Sequence, residues 1–327
     1  MRSSASACIP LRFLPILVLA VSSLATRLVL AQTVTEAPLL FSSSPSAKPI
    51  SRLRKKVELV LLPVSVLDRS DTSLPGLTPD RFSVLDDKIP QTVRYFSHED
   101  APIALSVVLD ASASMANRFE DARSAMKALI AGSNPEDEFQ VVSVGDQPTV
   151  LLQPCDSREE FEQNLGSLQP VGQTALWDSM MIALRQLRRA PFERKAMVVI
   201  TDGGDNHSRT SLRELKSVLK EAGVAMYTVV LYNPFAARRE EKLGPLELDE
   251  LTSVTGGRVI SARNRSEVLG AAVTISRELR DQYVLGYYPT HSSDAGKWHK
   301  VRVTVAGLDG FGKFRVFAKR GYFQSPD

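Results

Sequence analysis

The sequence predicts an α/β protein in which a doubly wound, mostly parallel sheet is inserted between the halves of a small β sandwich. Three observations carry this reading. Strand and helix patterns alternate repeatedly from residue 103 to about 280, which is the pattern of parallel strands covered by helices. Period-two strands precede that stretch and return after Asp281. Neither flank has enough strands to bury a core alone. The two flanks are therefore expected to pair, which would bring the ends of the inserted domain close together.

Taken in order, residues 1–31 read as an export signal. Arg2 and Arg12 flank a polar start, an apolar stretch runs over 13–25, and Val29-Leu30-Ala31 precedes Gln32. The stretch is short of the ~20 residues that span a bilayer, so no membrane span is expected after cleavage; a retained anchor is the alternative. Cys8 lies before the apolar run, and cleavage would leave Cys155 as the single cysteine, expected to be a small buried side chain. Residues 32–52 hold Ser42-Ser43-Ser44-Pro45-Ser46 and Lys48-Pro49, a flexible linker.

The first sandwich part is assigned to 53–100. Val57, Leu59, Leu61, Val64 and Val66 alternate around Pro63, and proline inside the run suggests an edge strand or a bulge. Further strands are expected over 82–85 and 92–96. The α/β domain is assigned to 101–281. Its expected strands are 103–109, 138–144, 196–200, 224–231 and 258–261. Its expected helices are 120–130, 174–187, 211–222, 246–255 and 266–280. Ser211 with Glu214 forms a capping box, and Gly256-Gly257 ends the fourth helix. The second sandwich part, 282–327, carries strands over 283–288, 301–305 and 314–317.

Composition excludes several classes. Of 327 residues 43% are hydrophobic and 24% charged, which is ordinary for a globular chain. Two cysteines rule out a disulfide scaffold. Arg2, Arg12 and Arg27 are the charges of the first 31 residues, so the remainder balances 37 basic against 37 acidic groups. That balance does not support attraction to nucleic acid or to an anionic membrane.

Ligands of open parallel sheets bind beyond the carboxyl ends of the strands. Three distant segments should reach that edge: Asp110-Ala111-Ser112-Ala113-Ser114, Gly172-Gln173-Thr174, and Thr201-Asp202-Gly203-Gly204-Asp205. Among them are two carboxylates, Asp110 and Asp202, and three hydroxyls, Ser112, Ser114 and Thr174, and Asp-x-Ser-x-Ser sets three alternate side chains on one side of a loop. Such donors suit a hard cation such as Mg²⁺. Neutral hydroxyls leave its charge under-compensated and open to one more carboxylate. Histidine and cysteine are missing from the set, which argues against zinc. A plainer role for Asp110 and Ser112 is to cap the helix that follows.

These residues resemble the metal-ion-dependent adhesion site of von Willebrand factor type A domains: Asp-x-Ser-x-Ser, a distant Thr, then a distant Asp. The resemblance covers roughly 102–281 and implies that Asp110, Ser112, Ser114, Thr174 and Asp202 hold Mg²⁺ or Mn²⁺. Ala113 stands where glycine is frequent. The wider chain is similar to a related family of exported bacterial proteins, through Leu77-Thr78-Pro79-Asp80-Arg81-Phe82 and Tyr283-Val284-Leu285-Gly286-Tyr287. The implied function is a non-enzymatic, exported module, periplasmic, cell-surface or secreted. It would bind an acidic group of a protein partner through the metal, with its oligomeric state left open. Two alternatives stand beside it: a metal-assisted hydrolase, for which His207 is the one candidate base, and a structural component of an envelope assembly.

Other signals are set aside. Residues 307–313 match phosphate-loop spacing up to Lys313, but Phe314 replaces the metal-binding hydroxyl and a strand follows. His98, His207, His291 and His299 are scattered, and no Gly-x-Ser-x-Gly elbow occurs. The helix bearing Arg185, Arg188 and Arg189 reads as a solvated face.

Overall fold

A computed structural model describes residues 59–154, 158–232, 239–290, 296–307 and 313–324. The segments expected to be an export signal, a linker and, for the most part, a turn over 307–313 lie outside the described residues, as do Val57, Cys155 and His291.

Four strands precede the α/β part: β1 (Val60–Leu67), β2 (Phe82–Asp86), β3 (Ile89–Gln91) and β4 (Tyr95–Ser97). Four follow it: β11 (Tyr283–Tyr287), β12 (Trp298–Val305), β13 (Arg315–Ala318) and β14 (Gly321–Phe323). They form two four-stranded sheets, ordered β13-β1-β11-β4 and β14-β12-β2-β3. Every pairing in them is antiparallel. Each sheet takes strands from both flanks, so neither flank completes a sheet without the other. Leu62, Val64, Phe82, Val84, Leu285 and Val303 meet in the core between them.

The strand that leads into the α/β part, β4, pairs with the strand that leads out, β11, in the register Val284↔Ser97. The ends of the inserted part are therefore neighbours. The expected strand 92–96 shortens to β4, which begins only at Tyr95, while β3 lies before it and in the other sheet. Both sheets face one core, so the apolar alternation does not reveal where the chain changes sheet. Pro63 does not make β1 an edge strand, since β1 lies between β11 and β13. It is tolerated because the β13 ladder begins only at Val64, so on that side the missing N–H interrupts no pairing.

The inserted sheet contains β5 (Ile103–Asp110), β6 (Glu138–Val144), β7 (Thr149–Leu152), β8 (Arg194–Thr201), β9 (Ala225–Leu231) and β10 (Val259–Ala262). Its order is β10-β9-β8-β5-β6-β7, parallel throughout except for the antiparallel edge strand β7. Among the described residues six helices cover it: α1 (Phe119–Ala131), α2 (Arg158–Ser167), α3 (Leu176–Arg189), α4 (Leu212–Ala222), α5 (Arg239–Thr255) and α6 (Arg265–Arg280). Alternate residues of β5 serve the two faces. Ile103, Leu105, Val107 and Leu109 pack with α1, α2 and α6, while Ala104 and Val108 pack with α3, α4 and α5. Burial on both faces explains why β5 is apolar at every position except Ser106 and the terminal Asp110.

Four elements have no counterpart in the sequence reading: β3, β7, α2 and β14. In α2 only Phe161 and Leu165 reach the core, too sparse a pattern to register as amphipathic. Helix α5 begins seven residues before the expected 246 because Pro245 lies inside it. No described helix is long and apolar enough to cross a membrane.

Candidate metal centre

Strands β5 and β8 are neighbours, and the helices that follow them, α1 and α4, lie on opposite faces of the sheet, which opens a crevice at their carboxyl ends. Asp110, the last residue of β5, sits at that point with 0% exposure. Its Oδ1 accepts the Ser112 N–H at 2.9 Å, and its Oδ2 accepts the Thr201 hydroxyl at 2.5 Å. Thr201 ends β8 and in turn accepts the Gly203 N–H at 3.0 Å, which directs the chain at Asp202. Ser112 makes no side-chain capping bond to the short helix after it. Its Oγ lies 3.1 Å from Ser114 Oγ.

Backbone bonds hold the three loops together. Ala113 N–H donates to Gly172 O at 3.1 Å, and Val171 N–H to Ala111 O at 3.0 Å. Thr174 N–H donates to Asn206 Oδ1 at 2.9 Å, and Thr174 O accepts the Asn206 and His207 N–H groups. Asp205 is occupied elsewhere: its Oδ1 caps α3 through Leu176 and Trp177 N–H. Asp110, Ser112, Ser114, Thr174 and Asp202 thus converge on one edge. Ser114 and Thr174 border a shared cleft of about 490 Å³ with Asn206 and Glu241.

The two carboxylates are electrostatically uncomfortable. Burial, and then the charge of Asp202, push the Asp110 carboxyl up to about 6. Burial also raises Asp202; the Ser114 hydroxyl opposes this, Glu241 adds to it, and Arg118 pulls back less strongly. A cation between them would relieve both effects. The donors suit one: adjacent ligands of an octahedral Mg²⁺, each ~2.1 Å from the metal, stand about 3.0 Å apart, close to the Ser112–Ser114 spacing of 3.1 Å. All the donors are oxygens.

Two residues here receive no role from the sequence. Thr201 is expected at the edge with Asp202, but its bond to Asp110 depends on the pairing of β5 with β8. Glu241 carries no sequence signal and arrives only through helix packing. Gly203, at φ +108°, and Gly244 let α5 lie against the Asp202 loop; a Cβ on Gly244 would stand 1.2 Å from Gly203 O. His207 is exposed and borders a neighbouring cleft with Asp178 and Arg185.

Residues 105–204 match the family model of the von Willebrand factor type A domain. The chain carries a von Willebrand factor type A domain. The matched span holds all five predicted ligands, from Asp110 to Asp202. Outside it the same fold continues through β9, α5, β10 and α6. No curated protein matches the sequence. Similar solved structures include the PilB minor pilin from Streptococcus sanguinis, 14% identical with a TM-score of 0.44, covering 57% of this chain and 63% of that one. The chain thus spans under two thirds of that pilin's length. A von Willebrand factor type A protein from Catenulispora acidiphila is 13% identical with a TM-score of 0.46, covering 84% and 76%. Proximal thread matrix protein 1 from the mussel byssus, solved with a zinc-occupied MIDAS motif, is 19% identical with a TM-score of 0.46, covering 61% and 50%. Likeness at this level says nothing about what this chain binds.

Proposed function

We propose that this chain is an exported, non-enzymatic binding module whose von Willebrand A domain, residues 101–281, presents Mg²⁺ or Mn²⁺ to a protein partner. Asp110, Ser112, Ser114, Thr174 and Asp202 hold the ion, directly or through water. An acidic group of the partner enters the cleft beside Ser114 and Thr174 and completes the coordination. The observation that carries this is the convergence of five oxygen donors from three loops at the switch point of the sheet. With two carboxylates and three hydroxyls, the site leaves the ion electrophilic enough to favour one more carboxylate. The sandwich, built from 53–100 and 282–327, holds the domain by both its ends. The placement of His207 at a different cleft supports binding over hydrolysis.

The test is calorimetric titration of Mg²⁺ and Mn²⁺ into the chain and into Asp110→Ala, with circular dichroism as the folding control. Retention of an envelope partner is then compared in Mg²⁺ and in EDTA. Loss of metal binding and of retention in the folded variant is the expected result. An Asp110→Ala chain that binds metal and partner normally would overturn the reading.

A further inference from the structure

The sandwich contains a second cluster of metal-ligating side chains, carried by a different sheet from the Asp110 site. Asp86 ends β2, Asp87 begins the tight turn to β3, and His299 lies near the start of β12. One potential ligand atom from each lies within 4.8 Å of the others. His299 Nδ1 is 2.9 Å from Asp87 Oδ2 and 3.9 Å from Asp86 Oδ1. Two ligands of a tetrahedral ion, each ~2.05 Å from it, stand about 3.3 Å apart. The observed separations bracket that value, so small side-chain shifts would close the set around one ion.

The oxygens facing away from the cluster are already held, as the outer ligands of metal sites commonly are. Asp86 Oδ2 accepts the hydroxyls of Tyr287 and Tyr322, both at 2.9 Å. Asp87 Oδ1 accepts the Lys300 N–H at 2.9 Å. The His299 ring stacks on Tyr322 at 5.3 Å between centroids, which sets its plane. Asp86 and His299 are fully or almost fully buried, while the Asp87 side chain is 34% exposed, giving an ion and one water a route in. Asp87 and Lys88 both adopt positive φ, 46° and 72°. That left-handed pair forms the hairpin turn and turns Asp87 back towards β12.

We propose that Asp86, Asp87 and His299 form a second divalent-metal site, of the Zn²⁺ class, that clips together the two sequence-separated halves of the sandwich. One imidazole with two carboxylates suits zinc or a similar transition ion better than Mg²⁺ or Ca²⁺. The ligands lie 212 residues apart in the chain, and a clip across so long a separation restricts the unfolded chain strongly. The role is structural: the ion would tie the β2–β3 turn, from before the inserted domain, to β12, from after it.

The experiment uses the full chain with Asp110→Ala, so that the first site is disabled and the outcome does not depend on the proposed function. Zn²⁺ is titrated by calorimetry, and thermal unfolding is followed with and without Zn²⁺. One equivalent should bind and raise the melting temperature. Adding His299→Gln or Asp87→Asn should abolish both effects, and Tyr322→Phe should weaken binding about tenfold, the scale of a lost outer-shell contact. Co²⁺ provides a measurement that needs no further variant: the intense visible absorption of a four-coordinate nitrogen–oxygen site is expected. No Zn²⁺ binding by the Asp110→Ala chain would overturn the proposal. So would binding that survives both His299→Gln and Asp87→Asn, or a weak six-coordinate Co²⁺ spectrum.

Discussion

Replacing Asp110 by asparagine should stabilise the metal-free chain at neutral pH while destroying its metal site. The Asp110 carboxyl is fully buried and is pushed from its ordinary 3.8 up to about 6, first by burial and then by Asp202. Because the native state holds this proton more tightly than the unfolded chain, stability is favoured at low pH. It falls as pH rises from about 4 to about 6, and stays low above that. A difference of this size corresponds to about 3 kcal/mol. Asparagine matches the shape without the charge: its Oδ1 can accept the Ser112 N–H and its amide can donate to Thr201 Oγ1, reversing that hydrogen bond. Allowing for imperfect bonds, a net gain of about 1–2 kcal/mol at pH 7 follows. Urea unfolding in EDTA across about pH 4–7, comparing the two chains, measures it. The comparison separates Asp110 from Asp205, whose carboxyl burial also raises, and removes the Asp110–Asp202 repulsion along with the charge. With saturating Mg²⁺ the order should reverse, because only the parent chain gains binding energy. If Asp110→Asn in EDTA is less stable than the parent at pH 7, or if the difference does not shrink towards pH 4, the electrostatic account of this site is wrong.

Three further outcomes are expected. Gly244→Ala should displace α5 from the Asp202 loop, since the new Cβ would stand 1.2 Å from Gly203 O; a loss of about 1–3 kcal/mol by urea unfolding, with weaker Mg²⁺ affinity, is the expected pair of readings. Glu278→Ala should cost about 1–3 kcal/mol by the same assay, because it removes the carboxylate that joins Arg258 to the Tyr227 hydroxyl, while Arg258 keeps its pair with Asp71. A fragment of residues 101–281 should fold alone, whereas 53–100 should not, since each sandwich sheet needs strands from both flanks; a well-dispersed NMR spectrum from 53–100 would contradict this.

Much of the inserted domain was legible because its strands are buried on both faces. Such a strand is apolar along most of its length, and β5, buried at every position, is polar only at Ser106 and Asp110. The capping box also reads directly from sequence, as Ser211 Oγ accepts the Glu214 N–H at 3.2 Å. Marginal elements were not legible. Helix α2 buries two apolar side chains, and β14 is three residues long, so neither leaves a periodic signal. Among the candidate ligands, Asp110, Ser112 and Ser114 share one loop and are visible as a local motif. The positions of Thr174 and Asp202 acquired meaning through the alternation that sends each to the same sheet edge.

The sequence by itself determined the α/β alternation, the split of the strands between the two ends of the chain, and the oxygen-donor residues at the carboxyl edge. These follow from local periodicity and side-chain chemistry, which each segment carries within itself. Only the tertiary structure decided which strands share a sheet, that Pro63 lies in a central strand, that Glu241 stands beside Asp202, and that His299 is buried against Asp86 and Asp87. Those are contacts across long sequence separations. Their partners are selected by how helices and sheets pack around common cores, and no single segment encodes the residue it will meet.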